Sequence, residues 1–294
     1  MRYAFFRGCM IPIKLPHIES VSRKVLGNLG IELVDIDAFT CCPDPVVFGA
    51  ADRLTWLTVA ARNIALAEEK GLNIITVCNG CSQTLRMTNK TLKSDMELKG
   101  KVNKILSEVG YEFLGKIEVK HFLQVLIEDL GVKEIKERVN APLNDLKVAT
   151  HVGCHLTNPS EIMEFDDPED PVVLESLVAA LGAETVDYDL KTQCCGVSYA
   201  VVGQRKSLNI LLRDKLTSMN EAGAQCITTG CPFCFQQFDL GQLLSAKEYG
   251  LRFKVPVLFY SQLLGLAMGY TIEEVGYTYH KVRDESFEKK VESR

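Results

Sequence analysis

The 294-residue sequence predicts an α/β fold of two pseudo-symmetric repeats, with mostly parallel sheets and helical crossovers. Two observations predict it: one cysteine pattern occurs twice at matched spacing, and short apolar runs alternate with longer helical stretches along the whole chain. In the first copy Cys9 is followed by the adjacent pair Cys41-Cys42 and then by Cys78 and Cys81. In the second, Cys154 is followed by Cys194-Cys195 and then by Cys231 and Cys234. The interval between the pair and the closing Cys-x-x-Cys is 35 residues in both copies. Gly8-Cys9 matches Gly153-Cys154, and the segment 30–37 matches 182–189, each running into a cysteine pair. The repeats are expected at 1–146 and 147–294.

Taken in order, the first copy predicts strands near 3–6, 31–36, 73–77 and 117–119, with helices near 18–28, 52–69, 82–93 and 121–130. The second predicts strands near 147–152, 184–188, 225–229 and 255–259, with helices near 172–181, 204–222, 235–247 and 261–268. Leu208, Leu211, Leu212 and Leu216 mark a core-facing helix stripe. The gap from first cysteine to pair is 31 residues in one copy and 39 in the other. An acidic, Pro-rich stretch from Asn158 to Pro171 accounts for the excess and reads as an inserted loop. The charged C-terminus, Lys281 to Arg294, reads as a solvated tail. In parallel sheets, ligand sites lie beyond the carboxyl ends of the strands. Cys9, Cys78, Cys154 and Cys231 each follow an apolar run, so they are expected together at that edge.

A net charge of -5 and a pI near 5.7 exclude a protein built mainly to wrap nucleic acid. The N-terminus lacks the features of a signal peptide, which points to a cytoplasmic protein with reduced thiols. Residues 255–272 carry no charge, but Pro256, Gly265 and Gly269 favour a buried strand and helix over a membrane span.

Four uses of five clustered thiols compete. A structural zinc site takes four ligands and prefers two paired spacings, so zinc in one repeat is a minor alternative. A thioredoxin-like dithiol uses Cys78 and Cys81 or Cys231 and Cys234 and leaves three cysteines over. An ordinary cubane iron–sulfur cluster lacks its run of tight spacings. A less symmetric iron–sulfur cluster accommodates adjacent thiols, because each reaches its own iron. That reading uses every cysteine but Cys226, which falls on a predicted strand and is expected in the core.

These residues resemble the CCG-domain family. In length and two-copy layout the chain is similar to the family of heterodisulfide reductase B subunits of methanogens, with one departure: copy two keeps Cys194-Cys195-Gly196, whereas copy one reads Cys41-Cys42-Pro43. The resemblance implies two noncubane [4Fe-4S] clusters, one per repeat, held by the ten cysteines. It implies reduction of the coenzyme M–coenzyme B heterodisulfide to two thiols by homolytic S–S cleavage between them. The implied partners are a C subunit with ordinary [4Fe-4S] clusters and, through it, a flavin-bearing A subunit fed by a hydrogenase or other electron donor. The alternative is an electron-transfer protein of a related CCG-domain oxidoreductase, linked to organic-acid oxidation or to quinone. An anionic disulfide needs local positive charge, and Arg7, Lys14, Arg53 and Lys206 are the candidate contacts. His17, Arg86, His151 and Lys191 also lie near the cysteine loops. His155, next to Cys154, is a candidate proton donor.

Overall fold

The computed structural model describes residues 1–293. Strands β1 (Arg2–Phe6), β2 (Glu32–Val34), β3 (Ile74–Thr76) and β4 (Val119–His121) form one sheet in the order β2-β1-β3-β4. Strands β5 (Lys147–His151), β6 (Glu184–Thr185), β7 (Cys226–Thr229) and β8 (Val257–Phe259) form a second in the order β6-β5-β7-β8. Every pairing is parallel. The α/β fold of two like halves expected from the sequence is therefore present. Strands β3 and β7 are buried along their whole length, as a parallel sheet with helices on both faces requires.

The crossovers are helices with legible ends. Pro16 opens the helix Pro16–Asn28 at a position where the missing N–H costs nothing. Asp52 caps Arg53–Glu68 by accepting the Thr55 N–H. One core runs through both halves, where Phe122 stacks on Phe259 at 5.5 Å. The Ser22 and Ser261 hydroxyls meet at 2.8 Å in the same layer. A second core, with Phe6, Trp56, Leu57 and Leu85, lies on the other side of the first sheet.

Several local expectations are corrected. Strand β4 begins two residues later than the sequence suggests, and the helix Met96–Ser107, capped by Asp95, was not anticipated. The expected helices near 121–130 and 235–247 contain π-helical turns, Val125–Leu130 and Gln237–Gly241. In the second, the Asp239 carboxylate accepts the backbone N–H groups of Lys281 and Val282, so long-range hydrogen bonding favours the wider turn. Residues 281–293 of the charged C-terminus form no solvated tail; Arg294 lies outside the described residues. Asp284 caps the helix Glu285–Glu292, and its Phe287 is buried against Tyr277. The stretch after Asn158 packs onto the first copy, where Gln83 donates to the Asn158 carbonyl at 2.6 Å and Lys90 pairs with Glu164. Among the described residues no helix is long and apolar enough to cross a membrane.

Candidate metal centre

The four apolar strands β1, β3, β5 and β7 deliver their cysteines to one edge. Cys9 precedes the short helix Met10–Lys14, Cys78 precedes Asn79–Ser94, Cys231 precedes Pro232–Gln236, and Cys154 opens Cys154–Thr157. The pairs Cys41-Cys42 and Cys194-Cys195 arrive on the loops after β2 and β6. All ten line a single cleft that opens to solvent, and Cys226 does not.

Their side-chain contacts run in one unbroken row. Within the first copy Cys9 meets Cys41, Cys41 meets Cys42, Cys42 meets Cys81, and Cys81 meets Cys78. Cys78 then meets Cys231 of the second copy. From there Cys234, Cys195, Cys194 and Cys154 follow, with Sγ separations of 3.4 Å for Cys234–Cys195 and 3.7 Å for Cys194–Cys154. The order outward from the middle is the same in both halves. None of the ten is in a disulfide; the centre of the row is buried, while Cys9 and Cys41 at one end are exposed. Crowding splits the thiols. Hydrogen bonds from Cys154, Cys195 and the Gly196 N–H pull Cys194 down to about 2, and the contact with Cys194 pushes Cys154 and Cys195 up. Such a row cannot ionise throughout without cations among the sulfurs.

Glycine permits the approach. Gly8 and Gly153 both have positive φ, 66° and 81°. A Cβ on Gly8 would lie 2.8 Å from Cys81 Sγ, and one on Gly153 would lie 2.6 Å from Asn79 Nδ2 and 3.4 Å from Cys234 Sγ. The repeated Gly-Cys dipeptide thus brings the backbone against the last cysteine of each Cys-x-x-Cys. Asn79 stitches the halves by donating to the Val152 carbonyl at 2.7 Å. The departure after the pairs also has a physical consequence. The Gly196 N–H points at Cys194 Sγ at 3.3 Å, whereas Pro43 has no N–H to offer.

Two positioning residues escaped the sequence reading. Asn63 accepts the Thr40 N–H and donates to the Cys41 carbonyl, holding the first pair's loop. Lys215, fully buried, donates to the carbonyls of Leu190, Lys191 and Gln193, holding the loop before the second pair. Burial lowers its pKa to about 8. A signal existed: position 215 falls within the stripe of buried Leu212, Leu216 and Met219, where a lysine is out of place.

The candidate basic contacts separate cleanly. Arg7 lines the cleft, with Glu19 3.6 Å away, and so does His155, whose Nδ1 meets Gln83 Oε1 at 2.5 Å. Lys14, Arg53 and Lys206 are exposed and outside the lining. Lys191 pairs with Glu175, Arg86 with the Gln124 side chain, and His17 packs against Tyr279. His151 is buried with neither ring nitrogen partnered; its ligand atom, with Cys195 and Cys234 Sγ, lies in a group spanning less than 4.8 Å. Burial lowers its pKa to about 3. The rest of the wall, including Met10, Val197, Pro232 and Phe233, is largely apolar.

Five soft donors per half exceed the four of a tetrahedral zinc site and suit an iron–sulfur centre with several metals. The family model for the cysteine-rich domain CCG matches residues 3–86 and 148–239. The chain is 41% identical over 291 residues to the B subunit of the ferredoxin/F(420)H(2)-dependent CoB-CoM heterodisulfide reductase of Methanosarcina acetivorans, covering 99% of this chain and 97% of that one. It is 32% identical over 280 residues to the 8-methylmenaquinol:fumarate reductase membrane anchor subunit of Wolinella succinogenes, covering 95% and 96%. A hypothetical protein from Helicobacter pylori shares the fold, with a TM-score of 0.75 at 16% identity over 96% of this chain and 52% of that one.

Proposed function

The chain belongs to the CCG family of cysteine-rich domains, in the group of heterodisulfide reductase B subunits, and from that premise we propose that it is the disulfide-reducing member of an iron–sulfur oxidoreductase complex. The row of ten thiols with its midpoint at Cys78 and Cys231 carries the reading. Cys9, Cys41, Cys42, Cys78 and Cys81 would hold one noncubane [4Fe-4S] cluster, and Cys154, Cys194, Cys195, Cys231 and Cys234 the other. When bound, the pair supplies the two electrons that divide an S–S bond homolytically, and two protons complete the two thiols. Two one-electron centres match one two-electron substrate, the coenzyme M–coenzyme B heterodisulfide.

The chain's own groups supply position and protons. Arg7 at the cleft offers a cation to an anionic substrate group. His155, oriented by Gln83, stands where a departing thiolate needs a proton. The apolar wall limits water around the sulfurs. In the cytoplasm, electrons would arrive through a C subunit with ordinary [4Fe-4S] clusters, itself supplied by a flavin-bearing A subunit.

Iron and sulfide analysis of anaerobically prepared protein tests the reading, with about eight irons per chain expected for two four-iron clusters. Bound zinc without iron would sink it. With reduced viologen as donor, the heterodisulfide should be consumed, and Cys42→Ser and Cys195→Ser should abolish turnover. A second reading, a quinone-linked electron-transfer protein, draws on the similarity to the Wolinella protein. Centres that viologen reduces without heterodisulfide turnover would favour it.

A further inference from the structure

Lys215 lies on the helix Arg205–Glu221 and is fully buried. Its Nζ faces the carbonyl oxygens of Leu190, Lys191 (3.2 Å) and Gln193 (2.6 Å). An ammonium has three protons and a neutral amine two, so three acceptors select the charged form. The Tyr188 ring lies 5.5 Å from the same nitrogen and adds a favourable contact for a cation. Among the described residues no carboxylate forms an ion pair with it. A buried cation without an anion is strongly destabilising. The Gln193 carbonyl it holds adjoins Cys194 in the chain, and the negative charges that act on it are the thiols Cys195, Cys234, Cys194 and Cys154. The compensating negative charge therefore belongs to these sulfurs.

The first copy has no fully buried counterpart: Arg62, at the equivalent helix position, donates to the Ala38 carbonyl but is half-exposed. Asn63 braces the corresponding loop with a neutral amide. Pro43 lacks the N–H that Gly196 directs at Cys194. Phe6 ends strand β1 where His151 ends strand β5. The first half's cations, Arg7 and Arg62, are part-exposed and Arg7 has Glu19 3.6 Å away, whereas Lys215 is fully buried, so its charge is the least screened by solvent.

We propose that Lys215 is the counter-cation of the second copy's centre and sets its reduction potential above that of the first, so that the second copy is reduced first. This rests on the reading that the thiol row holds two iron–sulfur centres. One-electron reduction adds a negative charge, and a fixed cation at short range in a low-dielectric interior stabilises the reduced state over the oxidised one. The electron comes from a one-electron reductant: an iron–sulfur partner in the complex, or dithionite in the test. Two halves built on one cysteine pattern thereby acquire an order of filling.

The test is an EPR-monitored redox titration of the anaerobically prepared full chain. Cys195→Ser, which alters the second centre's spectrum, assigns the two midpoints. In Lys215→Met and Lys215→Gln the higher midpoint should fall by at least a tenfold change in the reduction equilibrium, about 59 mV for a one-electron couple, while the lower stays in place. Lys215→Arg should keep both. Unmoved midpoints, or equal shifts of both, overturn the assignment. If neither neutral variant takes up the second centre, the wild-type assignment decides: the second copy as the lower midpoint overturns it, as the higher supports it. A wild-type chain without iron overturns the underlying reading as well, whereas full iron with unmoved midpoints overturns the role of Lys215 alone.

Discussion

Replacing Gly153 by alanine probes the seam between the halves. Its backbone sits at φ 81°, ψ 132°, a conformation essentially reserved for glycine, where a side chain costs about 1–3 kcal/mol. The new methyl would stand 2.6 Å from Asn79 Nδ2, and Asn79 is only 1% exposed, so its amide has nowhere to go but away from the Val152 carbonyl. Stranding that buried carbonyl adds about 1–3 kcal/mol, for a total of about 2–6 kcal/mol. Gly30→Ala is the control. Its φ is 76°, yet nothing lies within 4 Å of the added carbon, so it should cost only about 1–2 kcal/mol. The difference corresponds to roughly 3–10 °C in unfolding midpoint for a chain of this size. Thermal unfolding of equally iron-loaded proteins, followed by the fluorescence of Trp56, reads it directly. Equal midpoints for the two variants would show that the Asn79 contact does not tie the repeats together.

Other outcomes follow from the same geometry. Cys226→Ala should leave iron per chain unchanged and cost about 1 kcal/mol, because Cys226 is buried on β7 outside the cleft, while Cys78→Ser should lower the iron content. Phe287→Ala should cost about 3–5 kcal/mol at the C-terminal helix, seen as faster hydrogen exchange over 285–292 with little change elsewhere. His280 accepts a hydrogen bond from Gln262, and burial lowers its pKa from 6.5 to about 3. The folded state therefore resists its protonation, and stability present above pH 6.5 drains away as the pH falls toward 3. Near pH 5 the loss is about 2 kcal/mol. Urea unfolding at pH 7 and pH 5 should show this loss in the native chain and a smaller one in His280→Gln.

The legible parts of this protein are those written locally or written twice. Apolar runs such as Tyr3–Phe6 and Val148–Val152 announced parallel strands, and the paired cysteine spacing announced two equivalent halves. Boundaries were less legible where a distant group intervened. The π-helical turn at Gln237–Gly241 answers to Lys281 and Val282, and the C-terminal helix answers to the pocket that receives Phe287.

A repeating pattern of residue types is enough to specify layers, strand direction and the edge where the ten cysteines gather, because each depends on periodicity and on neighbours along the chain. The order of the sulfurs, the meeting of Cys78 with Cys231, and the burial of Lys215 and His151 depend on which helix face turns inward and on contacts between segments some 150 residues apart. Charge was the least legible feature. Lys14, Arg53 and Lys206 are cationic residue types like Arg7 and Lys215, but they stand exposed at the surface. Only the packed interior, with carbonyls and thiols in place of water, gives one lysine a partner it could not find from its neighbours in sequence.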